Sequence, residues 1–251
     1  MIRPPPVPVR PRASDNAPTT GGPPMRTPVS AALVAAVATV AAAGGAPAPT
    51  PLFNGKDLTG WKAFARLVKD GPTTPVDAKD TWSVKDGVLR GTGKPTGYLA
   101  TEAEYGDYEL ALKWRYPAGL KGGNSGVLLH VQKADVVWPV SVEAQLRAGR
   151  AGDVWLQTAA EVKLTVDPAR RDADDKTKRH IWRSPKDEDV ERPAGEWNDY
   201  RIVCRGGSIE LAVNGRVVNG GTDCNLTRGR IALQAEGTDV EFKDIVLRSL
   251  K

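Results

Sequence analysis

Two cysteines and two histidines, scattered through 251 residues, leave this chain without the ligand set of a Cys/His metal centre. Its longest apolar run falls short of the roughly 20 residues that a comfortable membrane span needs. Helical periodicity is nearly absent, which turns the reading away from helical folds. No run of Lys and Arg interleaved with aromatics is present, so a nucleic-acid partner has no footprint. The net charge of +5 is partly a local property, because residues 1–48 hold four Arg and one Asp. The remaining residues carry 31 basic and 29 acidic side chains, close to balance.

The N-terminus reads differently from the rest. Residues 1–24 are Pro-rich without a hydrophobic period, as in a mistaken start or a disordered extension. Residues 29–43 (VSAALVAAVATVAAA) are apolar and Ala-rich, with Met25-Arg26 just upstream and small residues after. Residues 25–48 are therefore expected to be a signal peptide and linker, cut after Ala41-Ala42-Ala43, with a secreted or periplasmic product starting near Gly44. No Cys lies near that junction, so no stable membrane anchor is expected after cleavage. Residues 49–251 are then one domain, long enough to bury a full core.

That domain consists of short alternating runs separated by Gly, Pro, Asn and Asp, the pattern of an antiparallel all-β sandwich or jelly roll. Asp86-Gly87 and Asn214-Gly215 each sit between two such runs and predict tight hairpins. Cys204 and Cys224 leave two readings open: a disulfide, or two buried free thiols. Residues 167–192 break the pattern, being dense in Asp, Lys and Arg. They read by default as a solvated loop, or alternatively as a flap over a ligand.

The most informative stretch is residues 108–146. Tyr108, Leu110, Leu112 and Trp114 share one parity, which leaves Lys113 and Arg115 on the other face. Val127, Leu129 and Val131 predict an inward face, with Asn124, Leu128 and His130 opposite. Val142, Ala144 and Leu146 leave Glu143 and Gln145 together. Gln234 and Glu236 share a parity opposite Ile231, Leu233 and Ala235. Carboxylates, amides, an imidazole and two cations on one surface make a polar ligand site, and carbohydrate is the expected ligand. Each residue also has a plainer role. Glu143 could be a solvent-facing carboxylate or an ion-pair partner, Asn124 a turn residue at positive φ, and Asp153 a turn cap. Lys113 and Arg115 could be simply solvated. Trp61, Trp82, Trp114 and Trp197 are expected in the core, whereas Trp138, Trp155 and Trp182 lie near loops where a sugar ring could stack.

Several segments resemble a known family in order: Leu52-Phe53-Asn54-Gly55-Lys56-Asp57-Leu58-Thr59-Gly60-Trp61, Gly122-Gly123-Asn124-Ser125-Gly126-Val127, Ser141-Val142-Glu143-Ala144-Gln145-Leu146, Gly152-Asp153-Val154-Trp155, Gly195-Glu196-Trp197-Asn198 and Gln234-Ala235-Glu236-Gly237. The chain is similar to the 3-keto-disaccharide hydrolase domain family. That resemblance implies a concanavalin-like jelly roll and action on a glycoside already oxidised to a ketone at C3. The ketone acidifies the C2 proton; a base removes it, the enolate expels the C1 substituent, and water then adds. Such chemistry needs a base, a donor or cation facing the enolate, and an acid. Glu143 is the expected base and His130 a second base or acid, although His130 departs from the Arg of the family pattern. Lys113 and Arg115 would polarise the ketone; Asn124, Gln145, Gln234 and Glu236 would bind the sugar. No cofactor is called for. A calcium site is left open by the carboxylate and amide oxygens, without an Asp-x-Asp-x-Asp pattern. A non-catalytic lectin-like module and an interaction domain without a sugar site are the competing readings.

Overall fold

The computed structural model describes residues 47–68, 73–132, 136–158, 160–187 and 189–250. The expected extension, residues 1–24, and nearly all of the expected signal segment, residues 25–48, lie outside them. The first strands are β1 (Thr50–Pro51), β2 (Trp61–Arg66), β3 (Thr73–Val76), β4 (Trp82–Lys85), β5 (Val88–Gly91), β6 (Gly97–Thr101), β7 (Tyr108–Arg115) and β8 (Gly126–Val131). There follow β9 (Ser141–Gln145), β10 (Val154–Gln157), β11 (His180–Ile181), β12 (Asn198–Arg205), β13 (Ser208–Val213), β14 (Arg216–Gly221), β15 (Arg230–Ala235) and β16 (Val240–Ser249). Three 3-10 turns are the only helical elements among the described residues.

The strands form two antiparallel sheets. Sheet one runs β14-β13-β12-β7-β16-β5-β4, with β1 on β16; sheet two runs β11-β10-β9-β8-β15-β6-β2-β3. Chain-distant strands lie side by side, β7 between β12 and β16 and β15 between β8 and β6. The result is a concanavalin-like β-sandwich jelly roll.

Alternation explains sheet one. Tyr108, Leu110, Leu112 and Trp114 are buried in the core while their neighbours stay half-exposed. Tyr200, Ile202, Leu211 and Phe242 join them, facing Leu99, Val127, Leu129, Val142, Ala144 and Leu233 of sheet two. Each large side chain fully withdrawn from water adds roughly 1.5–3 kcal/mol. Sheet two is buried on both faces over much of its area, since Phe64, Tyr98, Ala100, Leu128, Val131 and Ala232 make a second, smaller cluster on its outer side.

The turns follow the sequence. Asp86 and Gly87 adopt φ of 51° and 75°, and Asn214 and Gly215 φ of 47° and 82°, as a type I′ hairpin requires at both central residues. Cys204 and Cys224 are buried free thiols, so they pack as small hydrophobes. Burial pushes the Cys204 thiol up to about 12.

Three expectations fail here, each for a local reason. Trp197 is half-buried rather than core, because it shares parity with the outward Asp199 of β12 and lies between Arg115 and Lys243. Residues 167–192 are not a solvated loop: His180, Ile181, Arg183 and Asp187 are buried and β11 pairs with β10. The third failure is at the end of β8. Leu128 faces Ala232 and Val131 faces Arg230, so two residues of β8 stand opposite the single Ile231. This β-bulge, with His130 at φ 50°, inverts the alternation. Val131 moves to the outer cluster, and His130 turns toward Tyr108 at 5.5 Å in an edge contact.

Candidate active site

One lateral row across sheet two organises the site. Ala232 of β15, Leu128 of β8, Glu143 of β9, Trp155 of β10 and His180 of β11 are successive cross-strand neighbours. The apolar cluster occupies one end of this outer face, and a cleft of about 790 Å³ occupies the other. Its size suits a small polar ligand. Asn124, Glu143, Gln145, Gln234 and Glu236 all line it, with Trp138, Trp155 and Trp182. Five of the eight residues singled out from the sequence are thus brought together.

Glu143 lies on the cleft floor, 3 % exposed, and accepts a hydrogen bond from the Gln157 amide. Burial pushes its carboxyl up to about 8; the Gln157 bond opposes that rise and the charge of Glu236 adds to it. Gly126 makes this position possible. A Cβ there would stand 2.7 Å from Glu143 Oε1, so the missing side chain is the space that the carboxyl fills. Glu236 is also raised by burial, against a 2.7 Å hydrogen bond donated by Asn124 Nδ2. Asn124 sits in a bridge with Glu236 and not at positive φ, so its turn reading is set aside.

Three amides present groups to the cleft. Gln145 Oε1 accepts from the Leu146 and Arg147 backbone N–H groups, which leaves its NH₂ as the end available to a ligand. Asn124 Oδ1 and Gln234 Oε1 are buried acceptors with no partner among the described residues. A buried acceptor left unpaired costs about 1–3 kcal/mol, which a ligand hydroxyl would recover.

The wall comes from residues 167–192. His180 donates toward Asp172 Oδ2 at 2.9 Å from Nδ1 and toward Asp153 Oδ2 at 3.1 Å from Nε2. Its ring stacks on Trp155 at 4.2 Å and meets Trp182 edge-on at 4.0 Å. Burial alone would lower the His180 pKa, but the two carboxylates outweigh it and raise the value. Asp153, 1 % exposed, also accepts the Arg183 backbone N–H, so its carboxylate braces the wall and does not cap a turn. Arg179 and His180 are the cations that act on Glu143.

The other three residues lie elsewhere. Lys113 and Arg115 sit on the outer face of sheet one, paired with Asp199 and Glu241. His130 contacts the Leu226 carbonyl at 2.8 Å and the Gly106 carbonyl at 3.2 Å, and burial holds its pKa below the ordinary range. It is absent from the cleft lining because the bulge points it away. Sequence reasoning gave no site role to His180, Asp172, Arg179 or Gln157. The charge density of residues 167–192 obscured the first three, although His180 and Trp182 stood out within it. Among the described residues no group of three or more His, Cys, Asp or Glu is arranged to hold a metal.

Comparison with known proteins agrees with this architecture. A structure from Parabacteroides distasonis ATCC 8503, provisionally assigned as a glycosyl hydrolase, is 26 % identical with a TM-score of 0.56 over 81 % of this chain and 94 % of its own. A second such structure from that organism is 24 % identical, with a TM-score of 0.55 over 81 % of this chain and 100 % of its own. No curated protein matches the chain. The sequence model of one family, described as the 3-keto-alpha-glucoside-1,2-lyase-like domain, matches residues 48–248, and the chain belongs to that 3-keto-disaccharide hydrolase family.

Proposed function

We propose that the cleft cleaves 3-keto-glycosides by elimination across C1 and C2, followed by hydration. The observation that carries this reading is Glu143: a carboxyl on the floor of a polar cleft, held by Gln157 and raised to about 8. A base of raised pKa is better matched to a carbon acid beside a ketone than an ordinary carboxylate. In the first step Glu143 takes the C2 proton and the C1–O bond breaks as the enolate reforms the C3 carbonyl. Glu236 then supplies the proton to the departing oxygen. In the second step water adds to C1 of the resulting enone and C2 regains a proton. His180 and Arg179 face the charge that develops, in place of Lys113 and Arg115. Asn124, Gln145 and Gln234 bind hydroxyls, and Trp155 and Trp182 border the ring.

The test is release of the aglycone from a 3-keto-glucoside by the purified protein. The rate is expected to rise with pH as Glu143 ionises, pass through a maximum and fall again as Glu236 loses the proton it must donate. Glu143→Gln is expected to lose at least about 100-fold in kcat. Full activity in that variant removes Glu143 from the mechanism. Binding of sugar with no turnover by the unaltered protein instead favours the lectin-like reading.

A further inference from the structure

Arg147 and Arg150 stand at the mouth of the cleft, exposed and with no carboxylate partner among the described residues. Elsewhere on the surface Arg201, Arg216 and Arg228 all pair with acids. Exposed arginines are commonly just solvated, but the loop that carries these two is held unusually firmly. Glu191 accepts the backbone N–H groups of Gly149 at 3.0 Å and Ala151 at 2.8 Å. Arg183, 5 % exposed, donates to the carbonyls of the same two residues and pairs with Glu191 at 2.8 Å. One mostly buried ion pair thus fixes four backbone groups between Arg147 and Gly152. Such a pair carries a desolvation cost, and a loop without a task would not need it.

Arg150 is fixed a second time, its guanidinium lying 4.5 Å over the Trp182 ring. Stacking sets the plane of the guanidinium and leaves its in-plane N–H fork open to an oxyanion. The floor has the opposite character, with Glu143 and Glu236. In its ionised, basic form Glu143 repels an anion from the floor while the two arginines attract one at the mouth, so a ligand with one charged end and one neutral end is oriented.

We propose that Arg147 and Arg150 form an oxyanion subsite at the cleft mouth, so that the preferred substrate carries an acidic leaving group bearing a carboxylate or a sulfate. The proposal rests on the reading of the cleft as a 3-keto-glycoside site. The neutral 3-keto sugar lies over Glu143, and the charged end of the aglycone is gripped outside.

The experiment compares 3-keto-glucosides of 4-hydroxybenzoate, 4-hydroxybenzenesulfonate and 4-hydroxybenzamide, as both anomers, with the unaltered protein and with R147Q/R150Q. The acidic substrates are expected to lead the amide by about tenfold in kcat/KM, the worth of one charge-assisted contact. The double variant is expected to lose that lead through KM while turning over the amide as before. The ratio between carboxylate and sulfonate identifies which oxyanion the subsite favours. Equal kcat/KM for acid and amide, or a lead that survives R147Q/R150Q, overturns the proposal. If no glycoside is cleaved, the proposed reaction fails on its own, and calorimetry decides the subsite. Tighter binding of 4-hydroxybenzoate than 4-hydroxybenzamide, lost in R147Q/R150Q, keeps it; equal binding removes it.

Discussion

Gly126 and Glu143 form a pair in which one residue's emptiness is the other's place. Gly126 has an ordinary backbone, so Gly126→Ala introduces no forbidden conformation, only a methyl 2.7 Å from Oε1 and 2.9 Å from Cγ of Glu143. Gln157 pins the carboxyl from the other side, so relief comes by displacing it. Gly126→Ala is expected to keep the fold and lose activity by about 100-fold, since a shift near 1 Å at a reacting group costs that much. Near-normal kcat in a folded Gly126→Ala protein counts against a fixed Glu143. The carboxyl itself works against stability. Its folded pKa of about 8 exceeds the ordinary 4.5, so the fold prefers the protonated form. The resulting loss is absent below about pH 4.5, grows through the interval and is complete above about 8. Glu143→Gln is therefore expected to match the unaltered protein in urea unfolding at pH 4 and exceed it by roughly 3–5 kcal/mol at pH 9. A constant difference across that range would contradict the assignment.

At the scale of single elements, β8 shows how far alternation can be read. Val127 and Leu129 point inward as their parity predicts, and one inserted residue then reverses His130 and Val131. A bulge changes the count of residues on one strand relative to its partner, and that count is a property of the pairing, not of either sequence. His130 consequently braces the far end of the sandwich. His130→Ala is expected to cost about 2 kcal/mol in chemical denaturation and leave kcat unchanged, because a buried contact is lost and nothing in the cleft moves. A fall in kcat without loss of stability would return His130 to the mechanism. The hairpins were legible for a simpler reason: Asp86-Gly87 and Asn214-Gly215 carry their turn geometry in their own backbone preferences. The β11 segment was not, since two residues of strand within a charged stretch leave no period to detect.

For the whole molecule, parity reports which face of a strand a residue occupies and says nothing of which sheet holds the strand. Glu143, Gln145, Gln234 and Glu236 were grouped correctly because β9 and β15 both belong to sheet two. Lys113 and Arg115 were grouped with them by the same rule and lie on sheet one, with the core and both sheets between them and the cleft. Lys113→Ala and Arg115→Ala are expected to leave kcat/KM unchanged and to cost about 1 kcal/mol or less in stability, as partly exposed ion pairs do. A large drop in kcat/KM from either would mean that the two faces communicate.

The wall of the cleft has a consequence beyond substrate. β11 is the terminal strand of sheet two and covers the outer edge of β10 with only two residues. Just ahead of it the chain carries Asp172, Asp174, Asp175, Lys176 and Lys178. A short margin crowded with charge is a poor template for another chain to extend, whereas a bare β10 would offer unpaired N–H and C=O groups to any passing strand. The segment that positions His180 thereby also keeps copies of this protein from stitching together edge to edge. Altering this wall to admit new substrates would be felt first as a change in solubility.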